Sequence, residues 1–446
     1  IVQHNPVPNG FKNGKGNAYE SDLRDKSHGR IYRLVYDGEE GQPDAATPPV
    51  LDAANPSTLV AGLSHSNRLW RRHAQRLLVE SGNLEVVGEL IELIQNPSVD
   101  ETGNNAGAIH ALWTLHGLGA LSEAQGEAFQ AAVSALKHAA AGVRRNAALV
   151  LPADDESTQV LLEANLLADS DMQVRLAALM SLADMPSNEN AGDAISRVTS
   201  YDDMLADRYL TDGVIFAAAA HSKSFLGNLL LTQTSTSNET RSKIARVVGE
   251  HVARSGLEAA DLETLLTQIA SSKASVRQAV IEGLVAGWPA ESETVDINAD
   301  TEKALVAIAE STAVAEIGPL LRLGALLGSS KLGKYSATLA EHLQTKLDDV
   351  ELEATVRVAA AEEWLATSSD KEETVASLVE RLTPQLVPEV ATGVIRSLAN
   401  TTAENVATQL LDVWPTMTPA QRTDIVAVLM TKPNTTLVLL EAIQEQ

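Results

Sequence analysis

One helix-length pattern recurs along most of this chain, and nothing in the sequence constrains the fold more. A Val-Arg pair is followed by Ala and Leu at helical spacing. The clearest copies are Val143-Arg144-Arg145-Asn146-Ala147-Ala148-Leu149, Val174-Arg175-Leu176-Ala177-Ala178-Leu179, Val276-Arg277-Gln278-Ala279-Val280-Ile281 and Val356-Arg357-Val358-Ala359-Ala360-Ala361. Weaker copies fall near Trp70-Arg71-Arg72, Ile109-His110, Arg208-Tyr209, Ser242-Lys243, Leu321-Arg322, Ile395-Arg396 and Asp424-Ile425. The steps from Val143 to Val174 and from Val356 to Val394 each leave room for two helices and their turns. A unit of this size buries its apolar face only against its neighbours, so 59–446 is expected to form an all-α solenoid of about ten helical hairpins. Aromatic residues are 3% of the chain while apolar residues are 44%. Such a core is built from Ala, Leu and Val, which suits closely packed helices better than a β-sandwich.

Residues 1–40 read differently. Arg30-Ile31-Tyr32-Arg33-Leu34-Val35-Tyr36 alternates like a strand and stops at Asp37-Gly38, a turn signal. One strand cannot stand alone in water, so this short N-terminal β segment needs a sheet from elsewhere. Residues 41–58, with Gly41, Pro43, Pro48 and Pro49, read as a linker. The segment 1–40 holds six basic and six acidic side chains, so the whole net charge of −25 lies beyond it.

Several chemistries are excluded early. With no Cys, the chain holds no disulfide, thiolate metal site or haem-attachment motif of its own. A net charge of −25 argues against wrapping nucleic acid. No apolar run approaches the ~20 residues of a membrane span. No Gly-rich phosphate loop follows a strand, and no Ser sits in a nucleophile elbow. The chain is therefore expected to have no catalytic residues, no cofactor and no metal ligands. His110 and His116 flank Trp113 at spacings that do not match a helical metal pair, and a structural role is expected for both. The first residue is Ile1, which implies a processed chain or a piece of a longer protein.

The repeat, best seen in Asp169-Ser170-Asp171-Met172-Gln173-Val174-Arg175, resembles HEAT repeats. An Asp or Ser at the turn would cap the next helix. The Arg after Val would reach back to carboxylates or carbonyls of the neighbouring turn. A second resemblance joins both regions. His4-Asn5-Pro6, Gly14-Lys15-Gly16-Asn17 and Leu23-Arg24-Asp25-Lys26-Ser27-His28-Gly29-Arg30-Ile31-Tyr32-Arg33 are similar to the last blade of a bacterial β-propeller. Leu63-Ser64-His65-Ser66-Asn67-Arg68-Leu69-Trp70-Arg71-Arg72-His73-Ala74-Gln75-Arg76-Leu77-Leu78 is similar to the start of the HEAT region in the membrane-bound dehydrogenase-like, PVC-type haem-binding bacterial proteins. The resemblance implies a propeller before the array, a c-type cytochrome domain after it, and a periplasmic or cell-surface location. The propeller's catalytic residues and the haem-binding motif have no counterparts in this sequence.

Arg68, Trp70, Arg71, Arg72, His73 and Arg76 form a basic island in an acidic chain and are candidate partner-binding residues, with Ile31, Tyr32 and Arg33 of the strand. The alternative is that the island ties the first repeat to the blade or to nearby acidic helices. The function expected is a non-catalytic protein–protein interaction scaffold, an extracytoplasmic module of a larger assembly. Its partner is a protein or the missing propeller, with no nucleic acid and no membrane span. The alternative is a fragment of a propeller and cytochrome redox enzyme whose catalytic and haem segments lie elsewhere. An intracellular adaptor is a third reading.

Overall fold

The fold is seen in a computed structural model that describes residues 49–122, 126–232, 239–289, 297–383 and 385–444. The chain divides into Ile1–Val50 and Leu51–Gln446. The strand expected at 30–36, with Ile31, Tyr32 and Arg33, lies outside the described residues.

The second unit is helical, and no strand occurs among its described residues. Its helices come in consecutive pairs. The first four pairs are α1 (Pro56–Gly62) with α2 (Arg68–Ser81), α3 (Val87–Gln95) with α4 (Ala106–Gly117), α5 (Glu127–Ala135) with α6 (Ala141–Val150), and α7 (Asp155–Glu163) with α8 (Met172–Asp184). Next, α9 (Glu189–Val198) is followed by the short α10 (Asp202–Ala206) and pairs with α11 (Arg208–Ala220). Then come α12 (Ser222–Leu231) with α13 (Glu239–Ser255), α14 (Ala259–Ser271) with α15 (Ala274–Gly287), and α16 (Ala299–Glu310) with α17 (Gly318–Leu326). The last pairs are α18 (Gly333–Asp348) with α19 (Ala354–Thr367), α20 (Lys371–Glu380) with α21 (Pro388–Ser397), and α22 (Val406–Val413) with α23 (Pro419–Leu429), before a final α24 (Pro433–Gln444).

The second helices form one unbroken stack: α2, α4, α6, α8, α11, α13, α15, α17, α19, α21 and α23 each pack on the next. The first helices form the other layer. Within it α1, α3 and α5 pack in sequence, as do α7, α9, α12, α14 and α16, and again α20, α22 and α24. Side chains from both layers close a continuous core of Leu, Val, Ile and Ala with Phe129 and Phe225 fully buried. This is a two-layer α-solenoid. Among the described residues there are eleven second helices, and each of the eleven repeat copies visible in the sequence lies in or at the edge of one of them.

The repeated Arg has a defined job. In α2, α6, α8, α15, α19 and α23 it is the fourth helical residue, and it donates to carbonyls at the end of the preceding segment. Arg71 Nη1 reaches the carbonyls of His65 (2.7 Å) and Ser66 (2.8 Å). Arg144 reaches those of His138 (2.8 Å) and Ala139 (3.0 Å). Arg357 binds Leu347 (2.8 Å), and Arg422 binds Trp414 (3.1 Å) and Pro415 (3.0 Å). These carbonyls lack partners where a helix or turn stops, so a cationic donor there satisfies them. The caps are mostly Asn and Asp. Asp171, not Ser170, caps α8, accepting from the N–H groups of Gln173 and Val174. Asn67, Asn105 and Asn188 do the same for α2, α4 and α9.

Candidate functional site

Charge is sorted between the two layers. The second helices carry 17 Lys and Arg against 10 Asp and Glu, while the first helices with α24 carry 6 against 20. The contrast is sharpest at the N-terminal end of the array. There α2, α4 and α6 hold six arginines and one carboxylate, Glu80, while α1, α3, α5 and α7 hold six carboxylates and no Lys or Arg.

At 100° per residue, Arg68, Arg72 and Arg76 share the exposed side of α2, opposite its buried Ala74 and Leu78. Arg76 lies 3.7 Å from Glu80. Arg68 and Arg72 have no carboxylate partner among the described residues. Arg71 turns inward to its two carbonyls and leaves the open side. Trp70 and His73, with ring centroids 6.3 Å apart, lie on the flank of α2 away from the ridge that carries Gln75. So the structure brings together three of the island's arginines, turns Arg71 inward and leaves Trp70 and His73 on the neighbouring flank.

Other residues complete the strip. On α4, His110 Nδ1 sits 2.6 Å from Gln75 Oε1, which makes that nitrogen the donor of a neutral ring. Burial, with Arg71, Arg68 and Arg72 adding to it, lowers the His110 pKa from 6.5 to about 4. Next to it Trp113 donates Nε1–H to Asn146 Oδ1 at 2.7 Å, joining α4 to α6. His116 is 3.1 Å from the Val150 carbonyl, so both histidines serve packing between repeats. On α6, Arg145 is exposed and has no carboxylate partner among the described residues. The open side then turns apolar. Met180 of α8 is exposed, and on α11 Tyr209 and Phe216 are 69% and 61% exposed.

His110, Trp113 and Arg145 did not stand out as partner residues in the sequence. The signal that would have found them is the absence of Asp and Glu from 106–117 and 141–150 in a chain of charge −25. Elsewhere, a cleft of about 700 Å³ lies among α9, α12 and α14, with Ser187, Asn228 and Gln268 in its wall. Its lysine, Lys223, is already paired with Asp261 at 2.6 Å. No three His, Asp or Glu side chains converge to hold a metal ion among the described residues, and no single helix among them is long and apolar enough to cross a membrane.

No known family matches the chain, and no curated protein matches it. Among solved structures it is similar to a chain from a homology model of the full-length AP-3 complex in an intermediate open conformation. The identity is 12%, the match covers 87% of this chain and 86% of that one, and the TM-score is 0.24. The fold assignment rests on the helix packing described above.

Proposed function

We propose that this chain is a non-catalytic protein-interaction scaffold, an extracytoplasmic module of a larger assembly. One observation carries the reading. The second-helix stack presents a continuous open side on which Arg68, Arg72 and Arg145 have no counter-charge among the described residues and Tyr209 and Phe216 stand exposed. Unpaired cations and exposed aromatics along one side of the stack suit a partner surface. The extracytoplasmic setting is supported by the likeness of Leu63–Leu78 and of the segment 1–40 to propeller-linked HEAT proteins.

The test is native purification of the full chain from the producing organism, followed by size exclusion and mass spectrometry. The chain is expected to elute with a stoichiometric protein partner, well above its own 47.3 kDa. Haem absorbance in that complex would support the propeller and cytochrome setting. Elution as a free monomer under mild, low-salt conditions overturns the scaffold reading. The purified chain alone is expected to show no turnover with artificial electron acceptors, and turnover would refute the non-catalytic assignment.

A further inference from the structure

We infer that the open side of the second-helix stack from α2 to α11 receives an extended segment of a partner protein, acidic where it crosses α2, α4 and α6 and apolar where it crosses α8 and α11. The inference rests on the scaffold reading and gives the partner its chemistry. Arg68 and Arg72 are four residues apart on one helix, a spacing at which like charges repel. No carboxylate among the described residues pairs with either of them, and the one on α2, Glu80, lies against Arg76. Partner carboxylates would offset that repulsion, and guanidinium groups bind carboxylates through two parallel hydrogen bonds. The dimensions fit. Stacked helices lie ~8–10 Å apart and an extended chain advances ~3.3 Å per residue, so roughly six residues cross from α2 to α6. About as many again reach α11, where Met180, Tyr209 and Phe216 offer apolar area and two rings as anchors. A nucleic acid fits less well, since its phosphates would run on over this apolar stretch of a chain with net charge −25.

The experiment uses the full chain and a labelled synthetic peptide with an Asp/Glu run followed by Leu and Phe. The comparison ligands are a Lys-run peptide and a single-stranded oligonucleotide of similar charge. The acidic peptide is expected to bind, and to bind more weakly as salt rises. Each exposed ion pair is worth a factor of about 1.4 to 5, so Arg68→Glu/Arg72→Glu/Arg145→Glu should weaken binding about tenfold. Phe216→Ser should weaken this peptide and leave unchanged the binding of an Asp/Glu run made without the Leu and Phe. Lys243→Glu/Arg246→Glu on α13, outside the strip, should change affinity less than about twofold. Circular dichroism checks that each variant is folded, and Arg72→Gln alone is the milder substitute, with a smaller loss expected. A second readout is the His110 ring. Bound carboxylates should raise its pKa from about 4, visible by NMR titration, which a purely structural role for the arginines would not produce. Equal affinity for the triple variant, or tighter binding of the oligonucleotide, overturns the inference. If a copurifying partner stays on the triple variant, the scaffold reading stands and this one falls.

Discussion

Between α13 and α15 the two backbones meet; between α6 and α8 side chains and charge make the join. A Cβ built on Gly283 would stand 2.1 Å from the Arg246 carbonyl oxygen, and one on Gly287 would stand 2.1 Å from that of Glu250. From the other helix, a Cβ built on Gly249 would stand 2.9 Å from the Val280 carbonyl oxygen. At α6 and α8, Arg144 holds both carboxylate oxygens of Asp169 at 2.8 Å, and Ser181 Oγ donates to the Ala148 carbonyl at 2.8 Å. Arg175 continues the chain of charge by binding the Asp169 carbonyl and the Asp203 carboxylate. One stack thus tolerates two kinds of junction. The first is the more sensitive to added volume; the second is the one that pH and salt reach.

The largest effect expected is at the glycine seam. In an exposed helix, Gly→Ala stabilises by ~1 kcal/mol. Gly283→Ala should do the opposite, costing about 3 kcal/mol, because the new methyl meets a main-chain oxygen that cannot rotate away. The reciprocal change, Ala286→Gly at an exposed site on the same helix, should cost only ~1 kcal/mol. Denaturant unfolding followed by circular dichroism ranks the two. A stabilised Gly283→Ala would mean that the helices are not in backbone contact.

The charged junction comes next. Burial alone would raise the Asp169 carboxyl pKa, but the Arg144 hydrogen bonds override it and hold the group below its usual value. Asp169 is only 9% exposed. Asp169→Ala should therefore cost about 1.5–2 kcal/mol, less than a fully buried broken pair, because Arg144 keeps its two carbonyl partners. The penalty should shrink in high salt, while that of Gly283→Ala should not move. Equal salt dependence would erase the distinction between the junctions.

The charged junction was legible in the sequence and the glycine seam was not. Val-Arg followed by small residues marks a helix start with a latch, and the latch is found where the pattern predicts it. The Arg is the constant element rather than the Val: Val143 and Val174 are fully buried, yet Val356 is 42% exposed while Arg357 keeps its carbonyl. Gly283 reads only as a weak helix residue until the α13 backbone is placed beside it. The basic strip was half legible for a related reason. Adjacent arginines on α2 are visible in the text, but Trp113 and Arg145 join them only through the stacking of helices that lie far apart in sequence.

Acid should separate the regions further. His221 is fully buried, with Nε2–H donating to the Leu182 carbonyl at 2.8 Å and Nδ1 accepting from the Asn188 N–H at 3.0 Å. Burial lowers its pKa, as it lowers that of His110 to about 4. Both rings are neutral in the fold and take up a proton more readily when unfolded. Their contribution is therefore fully present above pH ~6.5 and is lost as pH falls below it. For His110 the loss is complete near pH 4. Hydrogen exchange should show protection falling first at α2, α4, α8, α9 and α12, with the seam of α13 and α15 unchanged. Uniform loss along the array, or the same profile in His221→Gln, would remove the histidines from the explanation.

The smallest effect tests how finely the repeat can be read. The turn Asp169-Ser170-Asp171 offers three side chains that could cap α8, and residue type alone does not choose among them. Geometry does. Asp169 faces Arg144, and Asp171 has extended backbone with its Oδ1 at 2.8 Å from the Gln173 N–H and 3.1 Å from that of Val174. Ser170 makes no cap bond. Asp171→Ala should then cost about 1 kcal/mol, the usual value of an N-cap, and Ser170→Ala should stay within about 0.5 kcal/mol of the parent. A carboxylate at the helix start also gains from the macrodipole, so Asp171→Asn should fall between the two. If Ser170→Ala costs as much as Asp171→Ala, the start of α8 is shifted by one residue. The fourth-position rule for Arg175 would shift with it, and the charged junction would lose the regularity that sets it apart from the glycine seam.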